Sequence, residues 1–314
     1  MDPTCKVAIV LGAAKGSGFR AAEELLKAGV VRVVLADFPC PECYNATEKL
    51  CDKYGSEKAV LIAGDFHDPK MYMNLFEESI ARFQKVDILF NNLDNYNDNS
   101  WVEEVNCNIK NTVRSTLLTH YFMNKKRNKD SRGSVVINCA ISYSLDTMPP
   151  MPIYCSTKSA IIGFSRSIGD VMHYERTGVR VVALCPGITK EEAFSSSEYS
   201  VQLENSWGLD MEKLNVKEPQ SDSSIARAVV HLVRYAPSGS VWVLDNDNLF
   251  YAEIPHRSLY NKRGNFVQPI CKPPVLVPRP QRRRSSSDAR SYVCVSKLHL
   301  YRVKGKNKKR SSRK

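Results

Sequence analysis

The sequence predicts an α/β fold: a doubly wound parallel sheet of about seven strands, followed by a basic C-terminal tail expected to be disordered. Three observations point there. An unbroken apolar run near the N-terminus ends in a glycine-rich turn, further apolar runs alternate with helix-length amphipathic segments, and the composition changes abruptly after about residue 260.

The first run is Val7-Ala8-Ile9-Val10-Leu11, which fits a parallel strand buried on both faces. Gly12-Ala13-Ala14-Lys15-Gly16-Ser17-Gly18 follows, and Phe19 to Ala28 then reads as a helix that stops at Gly29. Glycines at such a strand-to-helix turn let a pyrophosphate approach the backbone N–H groups of the helix N-terminus. A purely structural tight turn is the alternative, and the next strand argues against it. Val30 to Ala36 is apolar apart from Arg32 and ends at Asp37. A carboxylate there, about 20 residues past the glycines, can accept from a ribose 2′-hydroxyl and repels a 2′-phosphate, so NAD is favoured over NADP. Lys15, inside the turn, pulls weakly the other way.

Apolar runs recur at Ala59–Ala63, Val86–Phe90, Ser134–Asn138, Val179–Leu184 and Val241–Leu244. Helical segments are expected near 43–54, 69–84, 101–126, 154–177 and 222–235. Ligands in such sheets bind at the carboxyl ends of the strands. Tyr154 and Lys158 stand four residues apart, on one face of the helix expected at 154–177. A free tyrosine has a pKa of about 10, and a neighbouring ammonium favours its phenolate, bringing it toward use as a base. On an exposed helix the same pair would mean nothing; its position after a dinucleotide-type turn is what gives it weight.

Taken together, Gly12/Gly16/Gly18, Asp37, Asp65, Asn91-Asn92, Asn108, Tyr154/Lys158 and Pro186-Gly187 resemble the short-chain dehydrogenase/reductases, over roughly residues 4–250. Within that family the chain looks most like the NAD-dependent 15-hydroxyprostaglandin dehydrogenase group and insect alcohol dehydrogenase-like members. The closer match lies in Trp101…Asn108, Pro152-Ile153-Tyr154-Cys155, Gly163-Phe164-Ser165-Arg166-Ser167 and Leu184-Cys185-Pro186-Gly187. The resemblance implies a Rossmann-type fold with NAD as cofactor. Tyr154 would exchange a proton with the substrate hydroxyl, Lys158 would lower the tyrosine pKa and hold the nicotinamide ribose, and Asn108 would hold a relay water. Asp65 and Phe66 would flank the adenine, and Asn92 would line the adenine-ribose side. Pro186, Gly187 and Thr189 would shape the nicotinamide pocket, while Lys15, Ser17, Phe19 and Phe38 complete the candidate cofactor contacts.

The chain departs from the family at several points. Position 141, where the family carries a serine that hydrogen-bonds the substrate oxygen, is isoleucine, which donates no hydrogen bond. Ser142 is the candidate substitute if the loop is one residue out of register. Losing such a donor costs on the order of 10²–10³ in turnover. After the fourth strand the usual N-N-A-G is Asn91-Asn92-Leu93-Asp94, bulkier and charged. Leu11 replaces a threonine before the glycine turn, and the usual threonine four residues past Gly187 is absent.

The net charge of +12 belongs to the tail. Residues 261–314 hold 17 Lys/Arg against the single acid Asp288, a net of +16, which leaves −4 on residues 1–260. The organisation expected is therefore a catalytic domain over 1–260 and a disordered tail over 261–314. Arg282-Arg283-Arg284-Ser285-Ser286-Ser287 and the lysine cluster at 304–310 suit a polyanion, nuclear import or phosphorylation, or a solvated appendage without a role. Cys40-Pro41-Glu42-Cys43 is a lone C-x-x-C and the six histidines are scattered, so no metal site is expected. No run of about 18 apolar residues offers a membrane span, and reduced thiols in the cytoplasm are the default.

The reading is an NAD-linked oxidoreductase interconverting a secondary alcohol, for example a prostaglandin-like hydroxylated lipid, and its ketone. Residues 188–220 would form a lid, with Phe194, Tyr199, Val201, Leu203 and Trp207 for an apolar pocket. Pairing through the helices near 101–126 and 154–177 would make a homo-oligomer. Two alternatives stand: a catalytically impaired dinucleotide-binding protein, on the strength of Ile141, and a polyanion-binding or nuclear adaptor acting through the tail.

Overall fold

The computed structural model describes residues 1–96, 100–128, 133–146, 148–149, 151–189, 220–256 and 258–259. Most of the expected lid and the whole basic tail therefore lie outside the described residues.

Eight strands form one sheet in the order β3-β2-β1-β4-β5-β6-β7-β8. They are β1 (Val7–Leu11), β2 (Arg32–Asp37), β3 (Ala59–Ala63), β4 (Ile88–Asn91), β5 (Ser134–Cys139), β6 (Val179–Pro186), β7 (Val241–Asp245) and β8 (Asn248–Tyr251). The first seven are parallel. β8 runs antiparallel to β7 and is one strand more than the apolar runs foretell. Its cause is a two-residue hairpin at Asn246-Asp247, both with positive φ (48° and 60°), the conformation that asparagine and aspartate tolerate in tight turns.

The helices are α1 (Gly16–Lys27), α2 (Pro41–Tyr54), α3 (Pro69–Phe83), α4 (Trp101–Val105), α5 (Thr112–Phe122), α6 (Pro152–Ile168), α7 (Val171–Thr177) and α8 (Asp222–Tyr235). Two segments expected to be continuous are interrupted. Asn106–Asn111 forms a π-helical stretch between α4 and α5, and the 154–177 helix breaks at Gly169 into α6 and α7.

Alternation along the strands divides the core in two. Ala8, Val10, Val33, Leu35 and Phe90 face α1 and α8, meeting Ala21, Leu25, Val229 and Leu232. Ile9, Leu11, Val34, Leu89 and Val136 face the opposite way, onto Tyr72, Leu75 and Phe76 of α3. At the amino-terminal edge of the sheet, fully buried Asp87 accepts from Lys6 Nζ (3.3 Å) and from Val7 N (3.0 Å). That buried pair is structural and lies at the end of the strands opposite the glycine turn.

Because β4 lies on the far side of β1 from β2, the chain reverses direction between β1 and β4, and a crevice opens at their carboxyl ends. The approach there is close. A Cβ on Gly12 (φ +73°) would stand 2.5 Å from the Asn92 carbonyl oxygen, and one on Gly18 would stand 1.9 Å from the Gly12 carbonyl oxygen. Gly18→Ala should therefore destabilise the fold by roughly 1–3 kcal/mol. Gly163, inside α6 with open space around its missing Cβ, should behave oppositely: Gly163→Ala should stabilise by about 0.5–1 kcal/mol. Urea unfolding midpoints of the two variants check both signs.

Candidate active site

The crevice has a glycine-turn end and a reactive end. At the first, α1 begins at Gly16, so the N–H groups of Gly16, Ser17 and Gly18 have no acceptor within the helix and face the turn. Lys15 is the N-cap residue and is exposed. Ser17 Oγ donates to Asn92 Oδ1 (3.2 Å), tying α1 to the end of β4. Phe19 is partly buried against the core.

Asp37 ends β2 with both oxygens occupied by backbone: Ala14 N donates to Oδ2 (2.8 Å) and Phe38 N to Oδ1 (2.9 Å). The carboxylate is thereby fixed beside the glycine turn with lone pairs still available, since each oxygen accepts more than once. Phe38 packs edge-on against Phe66 at 5.9 Å. The Phe66 ring itself is fully buried between Phe38 and Tyr72, so what it can offer a ligand is backbone. Asp65 is exposed and caps His67 N (2.8 Å). Unpartnered helix amides, glycines that admit no Cβ and an anchored carboxylate at the tip of β2 together fit a dinucleotide.

At the reactive end, α6 starts with Pro152 at its first turn and presents Tyr154 and Lys158 one turn apart, both buried. They line a small cavity with Ser17, Asn92, Asp94, Ile141, Pro186 and Gly187, among others. Asp94 bridges the pair. Its Oδ2 accepts from Tyr154 Oη (2.6 Å), and its Oδ1 meets Lys158 Nζ (2.8 Å). Burial alone would lower the Lys158 pKa, but the Asp94 charge outweighs it with smaller help from Cys139 and Cys107, and the net effect is a rise. Lys158 is thus held charged.

The loop that carries Asp94 is itself pinned. Asn108, in the π-helical stretch, accepts from Asn95 N (2.9 Å) and donates to Asn95 O (2.9 Å) and to Thr157 Oγ1 (3.0 Å). Both amide protons and the carbonyl of Asn108 are engaged inside the protein, on the residue next to Asp94 and on the α6 turn that bears Tyr154. A single widened helical turn of this kind often marks a functional site.

Ile141 lines the cavity and packs with Met148, Met151, Tyr154 and Cys155. Its backbone is extended (φ −147°, ψ 148°), so the next side chain turns away. Ser142 opens a 3₁₀ turn (Ser142–Leu145) and is not among the lining residues; its Oγ lies 3.7 Å from where a Cβ on Gly187 would stand. The structure thus gathers Tyr154, Lys158, Asn92, Ser17, Pro186 and Gly187 at one cavity and leaves Ser142 beside it. Thr189 is buried and pairs with Gln220, whose Nε2 donates to Gly187 O (2.9 Å).

Sequence reasoning noticed Asp94 only as a bulky, charged departure; its contacts join residues 60 and 64 positions apart, which no local pattern announces. A buried amide network was also missed. Asn91 Nδ2 donates to Asn138 Oδ1 (2.6 Å), Ser115 Oγ to Asn91 Oδ1 (2.8 Å), Thr116 Oγ1 to Asn138 Oδ1 (3.1 Å) and Asn138 Nδ2 to Ser165 Oγ (2.9 Å). It locks α5 and α6 to the ends of β4 and β5, which sets the height of Tyr154 above the sheet. Cys40 and Cys43 bring their sulfurs to 2.9 Å, and burial first, then the Cys40 contact, pushes the Cys43 thiol up to about 12. Among the described residues no group of three or more His, Cys, Asp or Glu is placed to hold a metal ion.

Comparison with known proteins points to one family. Residues 6–200 match the family model described as short chain dehydrogenase. The chain is 31% identical over 193 residues to a 15-hydroxyprostaglandin dehydrogenase [NAD(+)] of Rattus norvegicus, covering 62% of this chain and 71% of the relative. It is 27% identical over 252 residues to alcohol dehydrogenase 1 of Ceratitis cosyra, covering 79% and 95%. Among solved structures, L-sorbose reductase from Gluconobacter frateurii, complexed with NADPH and L-sorbose, superposes with a TM-score of 0.64 at 22% identity, over 78% of this chain and 98% of that one. At that identity the superposition shows the fold.

The Asp94–Lys158 pair gives a pH-dependent stability whose sign can be tested. In the wild type the Lys158 pKa is raised above its ordinary 10.5, so the stabilisation is complete below about 10.5 and is lost as pH rises through the folded value. In Asp94→Asn burial is opposed only by the smaller Cys139 and Cys107 contributions, the folded value is depressed, and the sign reverses. The variant should be less stable at neutral pH by roughly 1–2 kcal/mol, discounted for the exposure of Asp94, and should recover as pH rises toward 10. Denaturant unfolding across pH, with Lys158→Met as the background that abolishes the difference, checks this.

Proposed function

This chain belongs to the short-chain dehydrogenase family, and on that premise we propose that it is an NAD-linked oxidoreductase interconverting a secondary alcohol and its ketone. The observation that carries the reading is the convergence of Tyr154 and Lys158 on a cavity reached by Asn92 and Ser17 from the glycine-turn end. A bound nicotinamide dinucleotide supplies the hydride chemistry. The glycine turn and the α1 amides would hold its pyrophosphate, Asp37 its adenosine ribose, and Pro186-Gly187 the wall beside the nicotinamide. Tyr154 exchanges the proton of the substrate hydroxyl, and Lys158 supplies a permanent positive charge at the base of the cavity.

Asp37 favours NAD over NADP, because a 2′-phosphate would meet a carboxylate already fixed in place. The name of the rat relative carries NAD(+), in keeping with that choice. A hydrophobic alcohol, such as a hydroxylated lipid, suits the apolar surroundings of Tyr154, where Ile141 lines the cavity and packs with Met148 and Met151. A homo-oligomer suits the exposed Trp101, Val102, Leu117 and Tyr121 of α4 and α5. The tail over 261–314 is proposed as a contact for polyanions, with the catalytic domain over 1–260 in the cytoplasm.

A second reading has specific support. Ile141 places an alkyl side chain where the family has a donor, and Asp94 occupies the tyrosine and the lysine, so the chain would bind dinucleotide with little turnover.

NADH formation with a panel of secondary alcohols, alongside a titration of NAD binding, separates the two. Turnover abolished by Tyr154→Phe, with NAD affinity kept within about threefold, supports the oxidoreductase; NAD binding with no turnover favours the second reading. Asp37→Ala should weaken NAD binding by about tenfold, roughly 1.4 kcal/mol, and narrow the preference over NADP in the same titration.

A further inference from the structure

Asp94 stands where the family resemblance expects glycine, and its carboxylate is bonded to both residues that the chemistry needs. We propose that Asp94 is the proton acceptor behind Tyr154, so that the tyrosine acts as a conduit and not as the terminal base. This rests on the dehydrogenase reading above.

Four observations carry it. The phenol donates to Asp94 Oδ2 at 2.6 Å, so a resting phenolate would face a carboxylate at hydrogen-bond distance, a like-charge contact. Tyr154 therefore rests with its proton, and it can accept the substrate's proton only as its own departs. The group in line to receive that proton is Oδ2. Second, Lys158 Nζ engages the other oxygen at 2.8 Å, which leaves Oδ2 turned to the phenol. Third, the Asp94 side chain is 39% exposed whereas that of Lys158 is 2% exposed, so a proton received at Asp94 has a path to solvent that one received at Lys158 lacks. Fourth, the amide of Asn108, the relay expected from the resemblance, is spent on Asn95 and Thr157. By gripping both backbone groups of Asn95, it fixes Asp94 in position instead.

In the oxidation direction the balance is complete. The carbinol C–H bond breaks and its electron pair leaves as hydride to the nicotinamide dinucleotide, while the C–O bond gains double-bond character. The hydroxyl proton moves to Tyr154 Oη as the phenol proton moves to Asp94 Oδ2. The carboxylate becomes a carboxylic acid and then releases the proton to water. Ketone reduction runs the same transfers backward.

The test is the pH–rate profile of the full-length wild type, Asp94→Asn and Asp94→Gly, with NAD affinity measured on each to confirm a folded site. The wild type should hold its rate from neutral to alkaline pH. Both variants should lose about 100-fold in kcat at neutral pH and regain rate as pH rises, because the tyrosine must then ionise into solvent. Added formate should restore Asp94→Gly at least tenfold at neutral pH and leave the wild type unchanged, a response that a merely structural role would not give. Neutral-pH turnover equal to or above wild type in both variants, with an unchanged profile and no response to formate, overturns the proposal and makes Asp94 a plug in the site. A wild type that binds NAD and oxidises no alcohol removes the dehydrogenase reading and the proposal with it; turnover that survives loss of the Asp94 carboxylate removes the proposal alone.

Discussion

Two backbones meet at the centre of this molecule with no room for a side chain between them. The turn after β1 passes so close to the end of β4 that a methyl group at Gly12 would overlap the Asn92 carbonyl, and one at Gly18 would overlap Gly12 itself. That contact sets the depth of the crevice at the switch in strand order. It seats α1 directly on the sheet, aims the α1 amides into the opening, and brings Ser17 within reach of Asn92. The loop after β4 leaves from the same point, so the position of Asp94 over α6 follows from how tightly β1 and β4 are held together.

The reactive end adds an electrostatic layer to this steric one. Lys158 is buried deeply enough that desolvation opposes its charge, and the Asp94 carboxylate restores it. The geometry is over-determined: α6 presents tyrosine and lysine at one-turn spacing, and Asn108 clamps the neighbouring Asn95 from both its N–H and C=O sides. A charged side chain introduced onto a free loop would swing; here the loop, the widened turn after α4 and α6 form one hydrogen-bonded unit.

Much of the fold was legible because strands buried on both faces leave continuous apolar runs, as Val7–Leu11 does with all five residues buried. β8 escaped because its residues are mostly exposed and its turn, Asn246-Asp247, sits inside a polar stretch that reads as a loop. The long helix at 154–177 was read through Gly169, whose missing Cβ makes space for the backbone of Gly239, a contact 70 residues away in the chain. In the site, the residues recognisable by spacing, Gly12, Asp37, Tyr154 and Lys158, were legible. Ser142 could not be placed from sequence, since the choice between it and Ile141 depends on which way one extended residue faces. The role of Asp94 was hidden for a related reason: pattern reading registers that an aspartate is unusual at a position, and only coordinates say what it touches.

The amide network beneath the site has a consequence for how this chain can change over time. Asn91 and Asn138 each use their carbonyl and their NH₂ on other buried polar groups, and Ser115, Thr116 and Ser165 complete the set. Replacing any one member strands its neighbours without partners in the protein interior, at roughly 1–3 kcal/mol for each buried group left unsatisfied. Single-step drift at these five positions is thus strongly epistatic, and a new arrangement must arrive as a coordinated set. Positions 94 and 141 sit on loops above the network and belong to none of its bonds. The architecture therefore separates two tiers: a foundation that fixes where a reaction can happen, and loops above it whose side chains can be replaced without stranding the network's buried groups.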